Sequence, residues 1–473
     1  MAAKQQQLNI TDESRSVTKT ILLLAWPVFV EQVFTTLVSF ADTAMVGSMG
    51  AQATAAISIS NSPIFLLNGI IMALGVGLTA LIARAAGAGE TEKVRKLMRH
   101  AIMVVLYIGL PITIVVAALS RMIPLWMGAG EDILDAAAQY NLIVASGRLF
   151  NLTAVVLNSA FRGYGDTKTP MKVNVLMNVI NVVGNFFLIY PTRRMTVLGF
   201  SITMPGAGWG VNGAAAATAF SMAVAGFLAL HVAFNRQNPY CIRFRSLRDL
   251  RPDNTLTRQI FSISFPAMLE RIFMSSSGIF VTSSIATLGT VSIAANSLSL
   301  SAESLSYMPA FAFQTAITTL VGQALGAGKP KLAEKFVRTT MTIGIAIMCV
   351  TGLGLYVFSD FLIGLFTPDQ EVVAMAASCL RLMAYIQPVQ LAAWVLTGVM
   401  RGAGDTKVNF YITAATNWGI RTLFSVVAVR VLGMDLYATY IVIIIEIWVR
   451  LALLYIRYRT GKWKTIMKAE ESN

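Results

Sequence analysis

The sequence predicts an all-α polytopic membrane protein, with twelve transmembrane helices in two pseudo-symmetric six-helix lobes. Three observations lead to that fold. Of its 473 residues, 56% are hydrophobic and only 13% are charged, more apolar surface than a soluble chain of this length can hide. The apolar residues fall in twelve runs, each near the roughly 20 residues that cross a hydrocarbon core about 30 Å thick. The last six runs also repeat the first six at a constant offset of 239 residues.

Backbone polar groups in lipid must be satisfied within their own segment, so each run reads as a helix. The first, 20–47, carries Pro27, Glu31 and Asp42. It follows a polar segment, 1–19, without the basic, apolar, small order of a cleaved leader, so this span is expected to stay in the mature chain. The second and third spans, 53–83 and 97–120, flank the turn Gly87-Ala-Gly89. The fourth, 132–158, leads into Phe161-Arg-Gly-Tyr-Gly-Asp-Thr-Lys168, and the fifth, 170–190, carries Asn174, Asn178, Asn181 and Asn185. The sixth, 209–233, contains Thr218 and closes the N-terminal lobe, 20–233. A basic linker, 234–258, joins it to the C-terminal lobe, 259–457, with spans 259–286, 293–323, 337–358, 371–399, 408–430 and 435–457; a tail, 458–473, follows.

The repeat is legible residue by residue. Met400-Arg-Gly-Ala-Gly-Asp-Thr-Lys407 answers to 161–168, Gly326-Ala-Gly328 to 87–89, and Pro266 with Glu270 to Pro27 with Glu31. The offset spans an even number of helices, so both copies have one orientation and are related by an axis along the membrane normal, an arrangement transporters use to rock two lobes about a central site. An inert duplication that merely packs well is the blander alternative. Charges within the spans, expensive in lipid, speak against it.

The net charge of +14 would suggest nucleic acid in a polar protein, but here the basic residues lie in short loops between apolar runs, and no nucleic-acid partner is expected. One set of alternate loops holds Lys93, Arg95, Lys96 and Arg99, then Arg162, Lys168 and Lys172, then the linker arginines, including Arg245, Arg248 and Arg251, and later Lys329, Lys331, Arg401 and Lys407. The opposite loops hold only Arg121, Arg193, Arg194 and Arg430. By the positive-inside rule both termini are cytoplasmic, in a cell's inner membrane. Cys241, Cys349 and Cys379 share no spacing and only two histidines occur, which supports neither disulfides nor a zinc cluster. The glycine pairs match no nucleotide-binding loop, so they read as tight turns and ATP is not implied. No cofactor, no enzymatic constellation and a monomer are expected.

Taken together, the Pro27 and Asp42-Thr-Ala-Met-Val-Gly47 pattern, the two Gly-Ala-Gly turns and the doubled Arg-Gly-x-Gly-Asp-Thr-Lys resemble the multidrug and toxic compound extrusion (MATE) family over residues 20–457. The resemblance implies two six-helix lobes around a cavity open alternately to each side, and antiport of drugs against a cation. It also implies a first-lobe cation site at Asp42, Asn181, Asn185 and Thr218, with asparagine at 185 where an aspartate is common. Glu270 resembles a second-lobe ligand whose aspartate partner falls at Gln390.

The residues themselves support part of this. Asn174, Asn178, Asn181 and Asn185 are spaced to form one stripe on the fifth helix. A carboxylate, two amide carbonyls and a hydroxyl would suit Na⁺ at Asp42, Asn181 and Asn185, or the acid would take a proton. Interhelical hydrogen bonds worth about 0.6–2 kcal/mol each remain the alternative for the asparagines. The offset maps Asp42 onto Val281, Asn181 onto Ile420 and Asn185 onto Phe424, so only the first lobe keeps the cluster. Glu31 lies eleven residues before Asp42 on the same face, about 16 Å away along the helix, and the two are candidate steps of a proton path. Pro27 and Pro266 are candidate hinges. Glu303, Arg381, Arg421 and Arg271, the last beside Glu270, are expected to pair as buried salt bridges rather than to bind substrate.

The expected function is export of amphipathic, often cationic organic compounds in exchange for H⁺ or Na⁺, with the lipid bilayer and small substrates as partners. A flippase for a lipid-linked precursor, an exporter of one metabolite, and a channel are the rivals.

Overall fold

The computed structural model describes residues 10, 15–197, 200–243 and 253–466, and among them leaves the side chains of 61–68, 70, 195–197 and 200–202 undescribed. Most of the N-terminal segment, the linker arginines Arg245, Arg248 and Arg251, and the end of the tail lie outside the described residues.

Twelve long helices follow in order. They are α1 (Val17–Gly47), α2 (Ala51–Gly87), α3 (Thr91–Ala118, with a π-helical stretch at Val105–Gly109), α4 (Glu131–Gly163), α5 (Lys168–Leu188) and α6 (Gly210–Phe234) in the first half. The second half repeats them as α7 (Asn254–Ala286), α8 (Thr290–Gly326), α9 (Pro330–Val357), α10 (Gln370–Ala403), α11 (residues 406–431, with π-helical stretches at Asn417–Thr422 and Val427–Val431) and α12 (Leu436–Arg459). Aspartates cap several starts: Asp253 accepts from the Thr255 and Leu256 amides, and Asp369 from those of Glu371 and Val372. Helices α2, α4, α8 and α10 run three to five residues past the apolar runs read from the sequence, because their last turns continue into the glycine turns outside the hydrocarbon. Gly165 and Gly404, repeat equivalents, take φ of +94° and +81° there, a backbone that glycine adopts without strain. Among the described residues, the one departure from an all-α chain is an antiparallel hairpin between α5 and α6, β1 (Pro191–Val197) and β2 (Phe200–Ala207). Its alternation of apolar residues is too short to register against the neighbouring spans.

The cores show how the halves interlock. Ile21, Leu24 and Val28 of α1 pack in a cluster with Phe313, Leu320, Phe336 and Leu396 of α8, α9 and α10. Reciprocally, Leu256, Ile260 and Ile263 of α7 join Leu78, Leu97, Leu152 and Leu157 of α2, α3 and α4. Farther along, Val46 of α1 returns to α2, α4, α5 and α6, and Val281 and Ile285 of α7 pack with α8, α10 and α12. Each first helix of a half therefore lends its inner part to the other lobe and its outer part to its own. Pro27 and Pro266 lie within the inner parts, and both helices run on through them.

Between the lobes the inner ends of α2 and α8 meet backbone to backbone. A Cβ on Gly87 would collide with the Gln323 carbonyl, and one on Gly326 with that of Arg84; these are repeat-related residues facing one another across the pseudo-two-fold axis. The Gln323 side chain also donates to the Gly163 carbonyl at 3.0 Å, and the Thr319 hydroxyl to that of Arg162 at 2.9 Å. Above this contact a cavity of about 420 Å³ opens between the lobes.

Candidate functional site

The asparagine stripe of α5 lies against α1. Asn174 donates to Glu31 at 2.6 Å, Asn178 to the Thr35 hydroxyl at 3.2 Å, and Asn185 to the Asp42 carboxylate, each pair separated by 143 residues. A constant separation means two parallel helices in register, so residues on one face of α1 meet one face of α5 in sequence. Asn181 turns instead to α6 and donates to the Thr218 hydroxyl at 3.1 Å, while its own Oδ1 accepts from Asn185 at 3.4 Å. Asp42, Asn185, Asn181 and Thr218 thus form one connected chain across three helices. Asp42 makes no ion pair among the described residues. Asn185 is fully buried and its Oδ1 has no hydrogen-bond partner; an orphaned carbonyl oxygen beside a carboxylate suits a hard cation or a protonated acid as donor. With one carboxylate, the oxygen set fits a singly charged ion, and no cluster of three metal-binding side chains occurs among the described residues.

Glu31 is engaged differently. Both its oxygens accept from Arg162, at 2.6 and 2.8 Å, in a pair that is largely buried. In the other half Glu270 accepts from Arg401 at 3.2 and 3.3 Å and from Asn409 at 2.9 Å. The two pairs are related by the repeat, although their asparagines are not. This corrects two expectations. Arg162 and Arg401, counted above among the loop cations, end α4 and α10 with their side chains turned inward, because each buried glutamate needs a counter-charge that lipid cannot supply. Arg271 does not pair with Glu270: adjacent residues on a helix point about 100° apart, and Arg401 reaches the carboxylate from α10.

Three further groups of charges bear on the expected buried salt bridges. Arg381 pairs with Asp360, both partly exposed rather than buried in the lobe. Glu303, 1% exposed, accepts from Gln387 at 3.3 Å, with Tyr307 close by, Arg421 at longer range and no direct ion pair among the described residues. Gln390 lies near Tyr307 and so near this centre, and no hydrogen bond joins it to Glu270 among the described residues. Glu446 and Arg450, one turn apart on α12, form a buried pair at 3.0 Å that the sequence reading passed over. Their i,i+4 spacing was the available signal. The cavity between the lobes is walled by Glu31, Arg162, Asn174, Arg271 and Arg401, with Ile71, Val76, Met177 and Phe311 as apolar surface.

With this geometry in view, the comparisons with known proteins are informative. The MatE family model matches residues 27–187 and again 266–427, one match to each half. A probable multidrug resistance protein NorM of Thermotoga maritima is 27% identical over 455 residues, which cover 96% of this chain and 94% of that one. Among solved structures, an outward-facing multidrug resistance MATE family transporter of the MOP superfamily aligns with a TM-score of 0.86 at 23% identity, over 98% of this chain and 100% of that one. A MATE protein in complex with MaL6 aligns at 0.87 and 23%, over 97% and 99%. At that identity the solved structures speak to the fold, twelve helices in two lobes.

Proposed function

The chain belongs to the MatE family of multi-pass membrane transporters, and from that premise we propose that it is a secondary active antiporter that exports small organic compounds in exchange for H⁺ or Na⁺ at Asp42. The observation that carries this reading is Asp42 itself: a carboxylate without an ion pair, bonded to Asn185 and linked through Asn181 to Thr218, beside an orphaned buried oxygen. Glu31, which lines the central cavity, and Glu270 are each held by an arginine. The name of the Thermotoga maritima relative supports drug export.

The mechanism follows from how α1 is shared. Its inner part packs with the C-terminal lobe and its outer part with α5 and α6, so Pro27 lies near the change of partner and Pro266 at the equivalent place in α7. An ion on Asp42 neutralises the carboxylate that Asn185 solvates and alters the α1–α5–α6 contact. That binding energy shifts the lobe equilibrium only to the extent that the two conformations hold the ion with different affinity. Glu303, buried without an ion pair, is a second candidate for a proton, whereas Glu31 is committed to Arg162 and serves as a structural partner rather than a relay. Both termini are proposed to be cytoplasmic, with the seal at Gly87 and Gly326 on that side.

The test uses the full chain in proteoliposomes, with a pH or a Na⁺ gradient imposed alone and anionic, neutral and cationic fluorescent compounds offered in turn. One gradient is expected to drive uphill accumulation, and Asp42→Asn to abolish it with protein incorporation unchanged. Uphill transport at the wild-type rate in Asp42→Asn removes that acid from the engine. Movement that only dissipates gradients makes the protein a channel.

A further inference from the structure

The charges around the central cavity do not balance. Three guanidinium groups, Arg162, Arg271 and Arg401, line it against one carboxylate, Glu31, with Glu270 behind Arg401. Arg162 is taken by Glu31 and Arg401 by Glu270, and Asn174 and Asn409 complete those carboxylates. Arg271 has no hydrogen bond or ion pair among the described residues, and the like charge of Arg401 acts on it more strongly than the opposite charge of Glu270. Its stem lies along α2 at Gly69, where an added Cβ would touch its Cβ, Cγ and Cδ at 3.9 Å. That packing directs the guanidinium to the cavity.

The fold does not require this charge. The repeat equivalent of Arg271 is Gln32, which also lines the cavity from the other lobe. A cation needed to hold the lobes together would be expected in both copies or opposite an acid, and it is neither. A charge offset only in part, by a Glu270 that Arg401 already holds, is costly at this depth, and a ligand bearing the opposite charge would relieve it.

We propose that the cavity binds the acid group, carboxylate or sulfonate, of a soluble amphipathic organic anion, with Arg271 as the residue that selects it. The flat guanidinium fork matches a carboxylate in two parallel hydrogen bonds, and Ile71, Val76, Met177 and Phe311 receive the apolar body. This rests on the efflux reading and reverses the cationic preference expected from the sequence. Glu31 and Glu270, the carboxylates that would draw a cationic substrate, are spent on Arg162 and Arg401.

Three probes with one apolar body decide it: dansyl-glycine, its methyl ester, and a dansyl quaternary amine, titrated by dansyl fluorescence against the full chain in detergent. Dansyl-glycine is expected to bind about tenfold tighter than the ester, the size of effect one charge-assisted bidentate contact gives, and the amine weakest. Arg271→Gln, which installs the residue of the other lobe, should remove the preference, and Arg271→Lys should restore part of it. Tightest binding of the amine to the wild type overturns the proposal whether or not the variants fold. So does unchanged dansyl-glycine affinity in a folded Arg271→Gln. Displacement of the probe by dioleoyl phosphatidate but not by excess benzoate would give the site to a lipid headgroup and overturn the soluble acid. Because this titration needs no gradient, selective binding without uphill transport would sink the efflux reading and leave the charge preference standing.

Discussion

Two of the buried carboxylates are satisfied in kind. Glu31 and Glu270 each receive an arginine from the last turn of a neighbouring helix and an amide from the next. Breaking such a pair strands a charge in a medium that cannot solvate it, at a cost of about 3–5 kcal/mol, whereas neutralising both members is far milder. Arg162→Met is therefore expected to lower the apparent melting temperature of the purified protein sharply, and Glu31→Gln with Arg162→Met to recover most of that loss. Equal destabilisation by the single and double variants would show that the pair contributes nothing beyond packing. At this scale the asparagine stripe was legible, since its spacing is a property of the helix and α1 offered the matching face. The partners of the glutamates were not. A hydropathy pattern puts an arginine at a helix end into the loop, and only the reach of Arg162 from the end of α4 to Glu31 on α1 shows the side chain bent inward.

Helices α2 and α8 approach as closely as backbones allow because glycine faces carbonyl on both sides of the axis. A side chain at either position must pry the inner ends apart. Gly326→Val is expected to shift the lobes toward the conformation open on that side, read as faster reaction of Ala83→Cys, buried at this seal, with a membrane-impermeant maleimide applied from the cytoplasm. Cys241, Cys349 and Cys379 would first be replaced by serine. An increase of about tenfold corresponds to roughly 1.4 kcal/mol of shift, and unchanged reactivity would mean the seal opens elsewhere. The repeat marked these glycines as a pair, but as turns. Their role against each other required two segments 239 residues apart to be seen in one place.

The two halves share one orientation and exchange the inner parts of their first helices, so the molecule is a pseudo-dimer tied through α1 and α7. With twelve spans and basic loops on one side, alkaline phosphatase fused after Arg457 should be inactive, and after Gly433, in the turn between α11 and α12, active. Activity at both junctions or the reverse pattern would overturn the topology. What the sequence determined unaided was the number of helices, their repeat, their expected orientation and the residues able to carry charge through lipid, because apolar length, periodicity and charge asymmetry act locally along the chain. What the tertiary structure alone decided was which charges cancel. Glu31 and Glu270 found arginines and Asp42 found only the amide of Asn185. Arg271 was left facing the cavity, since pairing depends on which helix ends meet in space.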